Sequence, residues 1–355
     1  MVDLGARLTG TEAHERFCAW LETELTAAGL ELLPPDEYHY DRWLTERIAL
    51  EVFDGDEARP IEVATAYVRS ASTPPEGITG PLVFLGAMPL GPFAVRGGDG
   101  DGGVPAEVQA WADQLPGDLA STVAVVDLAV PMPLNAQGFT AAAGYLHWPG
   151  HKTEEWSAID YRRPWIGPWP ELAVFEQLGV AGVVFIADAS REMLAGNYSP
   201  HVGRRQPVPA LVVDRDAGTA LRELAAGRPT ARLTLRAPTT PVLLRSVTAV
   251  LPGASDEVII VNSHSDGQNA FEENGSVALV ALARHFASLP PEERLGRTLV
   301  IASWPGHMSG EDGIEDASCW IATHPDLCAR AAAGHYRAPE RHRVGRDLRL
   351  GLLPD

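Results

Sequence analysis

Near the start of the chain, hydrophobic positions recur at helical spacing. Phe17, Leu21, Leu25 and Ala28 fall three or four residues apart, Trp20 widens the stripe, and Glu22 and Glu24 point elsewhere. Thr11 stands where an N-cap belongs, with Glu12 and Glu15 in the first turn and Gly29 as the C-cap. The pattern predicts a helix packed on one face. Leu44–Phe53 then reads as a strand closed by the turn Asp54-Gly55. From about residue 75, short apolar runs (Leu82–Leu85, Val123–Val126, Val183–Ile186) alternate with Gly-, Pro- and Trp-rich connections. Val208–Asp214 is a strand leading into a helix with Ala220, Leu221 and Leu224, ended by Gly227, and Ala237–Pro241 reads as a linker.

Beyond the linker the pattern becomes α/β. Val247, Ala249 and Leu251 alternate, and Val258–Val261 is a continuous apolar run expected to be a buried strand. Leu279, Leu282, Ala283 and Phe286 form a helical stripe, and Leu299–Ala302 makes another buried strand. Strand, helix, strand at this spacing is a crossover, which implies a mainly parallel sheet with helices on its faces.

The length of 355 residues allows about two domains. Acidic residues outnumber basic ones 47 to 28, for a net charge of −19, which argues against nucleic acid or an anionic membrane surface as partner. Three scattered cysteines (Cys18, Cys319, Cys328) make neither a disulfide framework nor a thiolate zinc site. No apolar run is long enough to span a membrane, and the first residues do not read as a signal peptide, so a cytoplasmic location is expected. Gly97–Gly103 reads as a surface loop, since neither a lysine nor a helix start marks it as a phosphate cradle. Trp148, Trp156, Trp165 and Trp169 read as a loop packed by its own aromatics, with a lid or substrate wall as the alternative.

Candidate chemistry gathers where two strands end, as ligands do in open α/β sheets. One strand runs into His264-Ser265-Asp266-Gly267, with Glu272 and Glu273 at the start of the next helix. The other runs into Trp304-Pro305-Gly306-His307. Imidazole and carboxylate converging on one edge suit a divalent ion such as zinc, and Asp266 is placed to orient the His264 ring. Singly, these residues are also explained as helix-dipole partners or a satisfied loop histidine.

The segments 258–287 (VIIVNSHSDGQNAFEENGSVALVALARHFA) and 297–307 (RTLVIASWPGH) resemble the zinc-dependent exopeptidases of metallopeptidase family 28. Residues 208–227 resemble a protease-associated (PA) domain, and residues 5–31 the leading helix of the family. The resemblance implies an αβα-layer domain from residues 1–70 and 245–334, with a β-rich PA-like domain inserted at 75–240. It implies His264 as a metal ligand, Asp266 as the residue orienting it, and Glu273 where the family has a metal-bridging aspartate. The family's Glu-Glu pair is replaced by Gly306-His307-Met308, which leaves His307 as a second-metal ligand or the general base. The expected activity is metal-dependent hydrolysis of a peptide or amide, with one or two zinc ions. The alternatives are a silent member that binds other chains through its PA-like part, or a derived transferase or cyclase.

The family's later acidic and histidine ligands have no counterpart here. His335-Tyr336-Arg337-Ala338-Pro339 can be encoded so that reading one base later gives Thr-Ile-Glu-His, close to a strand end of the family. Residues from about 335 to 355 are expected to be a shifted-frame tail on a truncated domain, with a genuine, divergent tail as the alternative. The sheet is then expected to be partly uncovered on the Leu299–Ala302 side.

Overall fold

The computed structural model describes residues 2–89, 104, 106–128, 172–194, 205–267, 274–307 and 316–332. The glycine-rich loop 97–103, the four tryptophans of 148–169, Glu272, Glu273 and the tail from 335 lie outside them. In chain order the strands are β1 (Glu31–Leu32), β2 (Glu37–Trp43), β3 (Arg47–Asp54), β4 (Glu57–Ile61), β5 (Thr65–Ala66), β6 (Ile78–Met88) and β7 (Val123–Leu128). They continue as β8 (Gly182–Ala187), β9 (Ala210–Val213), β10 (Thr230–Arg236), β11 (Thr239–Arg245), β12 (Val247–Leu251), β13 (Val258–His264) and β14 (Thr298–Trp304). The helices used below are α1 (Glu12–Ala27), α2 (Ala106–Ala112), α3 (Ala173–Gln177), α4 (Arg215–Ala225), α5 (Gly275–Ser288), α6 (Asp316–Thr323) and α7 (Pro325–Ala332).

The α1 helix begins at the Thr11 cap, whose hydroxyl accepts the His14 N–H, and Gly29 follows it with φ +91°. Its buried face (Phe17, Cys18, Leu21, Leu25) packs with α5 on one side of a four-stranded sheet ordered β1-β12-β14-β13. Alternation along β14 sends Leu299 and Ile301 to that side and Val300, Ala302 and Trp304 to the other, where Trp320 and Leu327 of α6 and α7 cover them. The result is three layers, α, β and α. Val258–Val261 and Leu299–Ala302 lie side by side in parallel, joined by the α5 crossover.

Three expectations are corrected here. The sheet is mixed, because β1–β12 and β12–β14 are antiparallel and only β13–β14 is parallel. Leu299–Ala302 is fully covered, since β14 runs between β12 and β13. Among the described residues β13 is an edge strand, as is the two-residue β1 at the other side, and Ile259 of β13 is 38% exposed. An uninterrupted apolar run reads as buried on both faces, but it carries no information about whether a second strand pairs with it.

A second sheet has eight strands, ordered β4-β3-β10-β6-β7-β8-β9-β5. Its β6–β9 portion is parallel, with apolar clusters on both faces; α2 and α3 contribute to one and α4 to the other. Residues 47–61, placed by sequence with the first domain, pair here through β3 and β4. The expected linker at Ala237–Pro241 is instead the start of β11, which pairs with β2 in a two-stranded ribbon. Pro241 is tolerated because a two-stranded ribbon has an outward-facing edge. Among the described residues no helix is long and apolar enough to cross a membrane.

Candidate functional site

The β13 strand delivers His264 at its carboxyl end, in register with Trp304 of β14. His264 Nδ1 lies 2.7 Å from the backbone oxygen of Asp266. A carbonyl only accepts, so Nδ1 carries the proton and Nε2 is the lone-pair nitrogen, the form that ligates a metal. The contact of Asp266 with the His264 ring is chiefly through its main chain; its carboxylate Oδ1 stands 3.7 Å from Nδ1. The carboxylate itself is buried and, among the described residues, takes three donors. Thr9 Oγ1 donates to Oδ2 at 2.6 Å, the Gly306 N–H to Oδ2 at 3.2 Å, and the His307 N–H to Oδ1 at 3.2 Å. Asp266 therefore ties the ends of β13 and β14 together.

His307 is brought to the same place. Its ring stacks on that of His264, with centroids 3.9 Å apart and planes inclined by 27°. Two ligands of one zinc ion must aim in-plane nitrogens at a common point about 2 Å from each. Planes so nearly parallel converge only several ångströms beyond the rings. As arranged, the two imidazoles do not share one ion in-plane.

The start of α5 is anchored beside His264. The Ser276 hydroxyl donates to His264 O at 2.7 Å and meets Ser303 Oγ at 2.6 Å. Gly275 makes this approach possible, because a Cβ there would stand 2.1 Å from Ser263 Oγ. Asn274 is the N-cap of this helix, and Glu273 precedes it outside the described residues.

Sequence reasoning missed a polar layer behind these residues. Arg7 and Gly267 exchange backbone hydrogen bonds at 2.7 and 2.8 Å, as in an antiparallel bridge. Arg7 Nε donates to Ser265 O at 3.2 Å, and its fully buried guanidinium lies 4.4 Å from the centre of the Phe17 ring. The Gly10 N–H donates to His14 Nδ1, so His14 Nε2 carries the proton and donates to Ser265 Oγ at 2.7 Å. The Ser265 hydroxyl in turn donates a hydrogen bond to Trp304 O at 3.2 Å. Desolvation holds His14 below its ordinary value, against a smaller opposing pull from Asp266. Burial pushes the Cys18 thiol up to about 12, against a smaller lowering influence of Ser265. One signal was available: His14 precedes Phe17 and Cys18 at helical spacing, so it extends the buried stripe.

Among the described residues no three His, Cys, Asp or Glu side chains converge to hold an ion. Among the described residues His264 Nε2 is a single imidazole donor at this edge, fewer than an ion needs. The donors present do not fit a two-ion centre, because the Asp266 carboxylate is turned to its three donors and His307 is stacked.

The chain is similar in structure to a zinc aminopeptidase from Bacillus subtilis, with TM-score 0.54 and 14% identity over 85% of this chain and 58% of that one. It is similar to a peptidase M28 precursor from Shewanella amazonensis (TM-score 0.57, 15% identity, 93% and 66%). It is also similar to an aminopeptidase from Aneurinibacillus sp. strain AM-1 (TM-score 0.50, 14% identity, 92% and 65%). At such identities these likenesses show the fold alone, and that fold is M28-like. The chain spans 58% to 66% of the length of these structures. No protein-family model and no curated protein sequence matches it.

Proposed function

We propose that the chain is a metal-dependent hydrolase of peptide or amide bonds, aminopeptidase-like in plan and built on one zinc ion. The observation that carries this reading is His264, set at a strand's carboxyl end with Nδ1 bound to Asp266 O and Nε2 as the lone-pair nitrogen. His264 Nε2 and the Glu273 carboxylate would hold the ion. Zinc, when bound, supplies a Lewis acid that polarises the scissile carbonyl and acidifies water. Asp266 keeps the two strand ends in register, and Ser276 anchors the helix that follows Glu273. His307 takes the proton that the absent Glu-Glu pair would otherwise take, at an imidazole nitrogen on the same ledge. Residues 75–240, in which 208–227 resemble a PA domain, would shape access or bind a partner chain.

A second reading, a catalytically silent protein that binds other chains, is favoured by the His264–His307 stacking, which occupies one face of each ring. Metal analysis followed by a screen of aminoacyl amides, with and without chelator, separates the two. About one zinc per chain with chelator-sensitive release of amine supports the hydrolase. Absence of zinc supports the silent reading, and zinc with transfer or cyclisation but no hydrolysis supports a derived transferase or cyclase.

A further inference from the structure

The angle of the Asp266 carboxylate about its Cβ–Cγ bond is set by the groups that donate to it. The two backbone donors, Gly306 and His307, both stand at 3.2 Å, the long end of the N–H···O range. Thr9 stands at 2.6 Å, an ordinary distance for a hydroxyl donating to an anionic oxygen. Thr9 is itself firmly fixed. It is buried and β-branched, and it is flanked by the Arg7–Gly267 bridge and the Gly10–His14 bond. Gly10 is pinned in turn: its φ is +73°, a Cβ there would meet Val242 at 2.7 Å, and Arg42 donates to its carbonyl. Gly306 lies in a buried turn just past β14 with φ +106°.

We propose that Thr9 is a positioning residue: its hydroxyl sets the Asp266 carboxylate, and through it the Gly306–His307 turn that stacks His307 on His264. Its importance for catalysis rests on the hydrolase reading; its effect on the two rings does not.

The test uses the full chain labelled with 15N-histidine. The His264 and His307 ring signals are assigned by their loss in His264→Gln and His307→Gln. Thr9→Val keeps the side-chain shape and removes the hydroxyl; Thr9→Ser keeps the hydroxyl and removes the methyl. The expected result is that Thr9→Val shifts both ring signals away from their stacked positions and Thr9→Ser restores them. Zinc affinity, titrated with zinc alone, then falls about tenfold in Thr9→Val, the low end for loss of a group that supports a ligand. Unmoved ring signals in Thr9→Val, or a Thr9→Ser that behaves like it, would overturn the proposal. If Thr9→Val does not fold, hydrogen exchange of the wild-type chain decides. Gly306 and His307 amides protected like the β14 core support the role, and amides exchanging like an exposed loop reject it. Failure of the wild-type chain to bind zinc, together with the ring shifts in Thr9→Val, sinks the hydrolase reading and leaves the positioning role standing.

Discussion

The imidazoles of His264 and His307 lie face to face at 3.9 Å, one ending β13 and the other just past β14. Parallel pairing brings both strand ends to one side of the sheet, and Asp266 bonds the turn that carries His307. The two rings therefore belong to one rigid ledge, yet they present faces to each other rather than converging lone pairs. Their roles should separate on mutation.

His264→Gln is expected to remove zinc from the purified chain. His307→Gln is expected to retain it while turnover falls by about 100-fold or more, the range for loss of a general base. Metal content and amide hydrolysis, measured on the same preparations, check both. Loss of zinc from His307→Gln would make that residue a ligand and require a different ring arrangement from the stacked one.

Asp266→Asn removes the charge from a buried group surrounded by three donors. One amide oxygen still accepts, but the NH2 faces a donor, so at least one buried N–H or O–H loses its partner. The expected cost is about 2 to 4 kcal/mol of folding stability, read from urea unfolding midpoints. A change below about 0.5 kcal/mol would mean the strand ends are held together by something else.

Stability should fall as the solution is acidified, partly through His14. Burial lowers the folded value below the ordinary 6.5, so the unfolded chain binds the proton first. The contribution of His14 is complete above about pH 6.5 and is lost progressively below it. His14→Gln does not titrate, so its unfolding midpoint should lose less than the wild type between about pH 7.5 and 5.5. Equal losses in the two proteins would show that His14 is solvated in the native state.

Much of the layered fold was legible because it depends on short-range periodicity. The α1 stripe, the α5 crossover and the fully buried Leu299–Ala302 each follow from spacing within a dozen or so residues. The β13 edge was not legible, because an apolar run is the same whether it has one neighbour or two. The ribbon at Thr239–Arg245 was hidden by Pro241, which suggests a linker unless its partner β2 is known. In the candidate site His264, Asp266 and His307 were found from strand ends, whereas Arg7 and Thr9 act across more than 250 residues, a distance that no local pattern encodes. Even Asp266 was half-read: two residues beyond His264, it places its carbonyl nearer the ring than its carboxylate.

The second face of the four-stranded sheet depends on Trp320. Its side chain is fully buried, stacks on His324 at 4.3 Å and packs against Trp304 at 5.6 Å. Its Nε1–H donates to Thr248 Oγ1 at 3.1 Å, on β12. The same cluster contains Val258 and Ile260, so it also supports the open-edged strand that ends in His264. Trp320→Ala is expected to cost about 3 to 5 kcal/mol, since the cavity cannot be filled from the few residues around it. Trp320→Phe keeps most of the ring and leaves Thr248 without this donor, which should cost about 1 kcal/mol for the bond and somewhat more for the lost volume. Denaturant unfolding gives both values, and hydrogen exchange should show β13 amides opening faster in Trp320→Ala than in Trp320→Phe. If Trp320→Ala unfolds within about 1 kcal/mol of the wild type, α6 and α7 are not a packed layer. His264 would then be held by α5 and the Arg7–His14 segment alone.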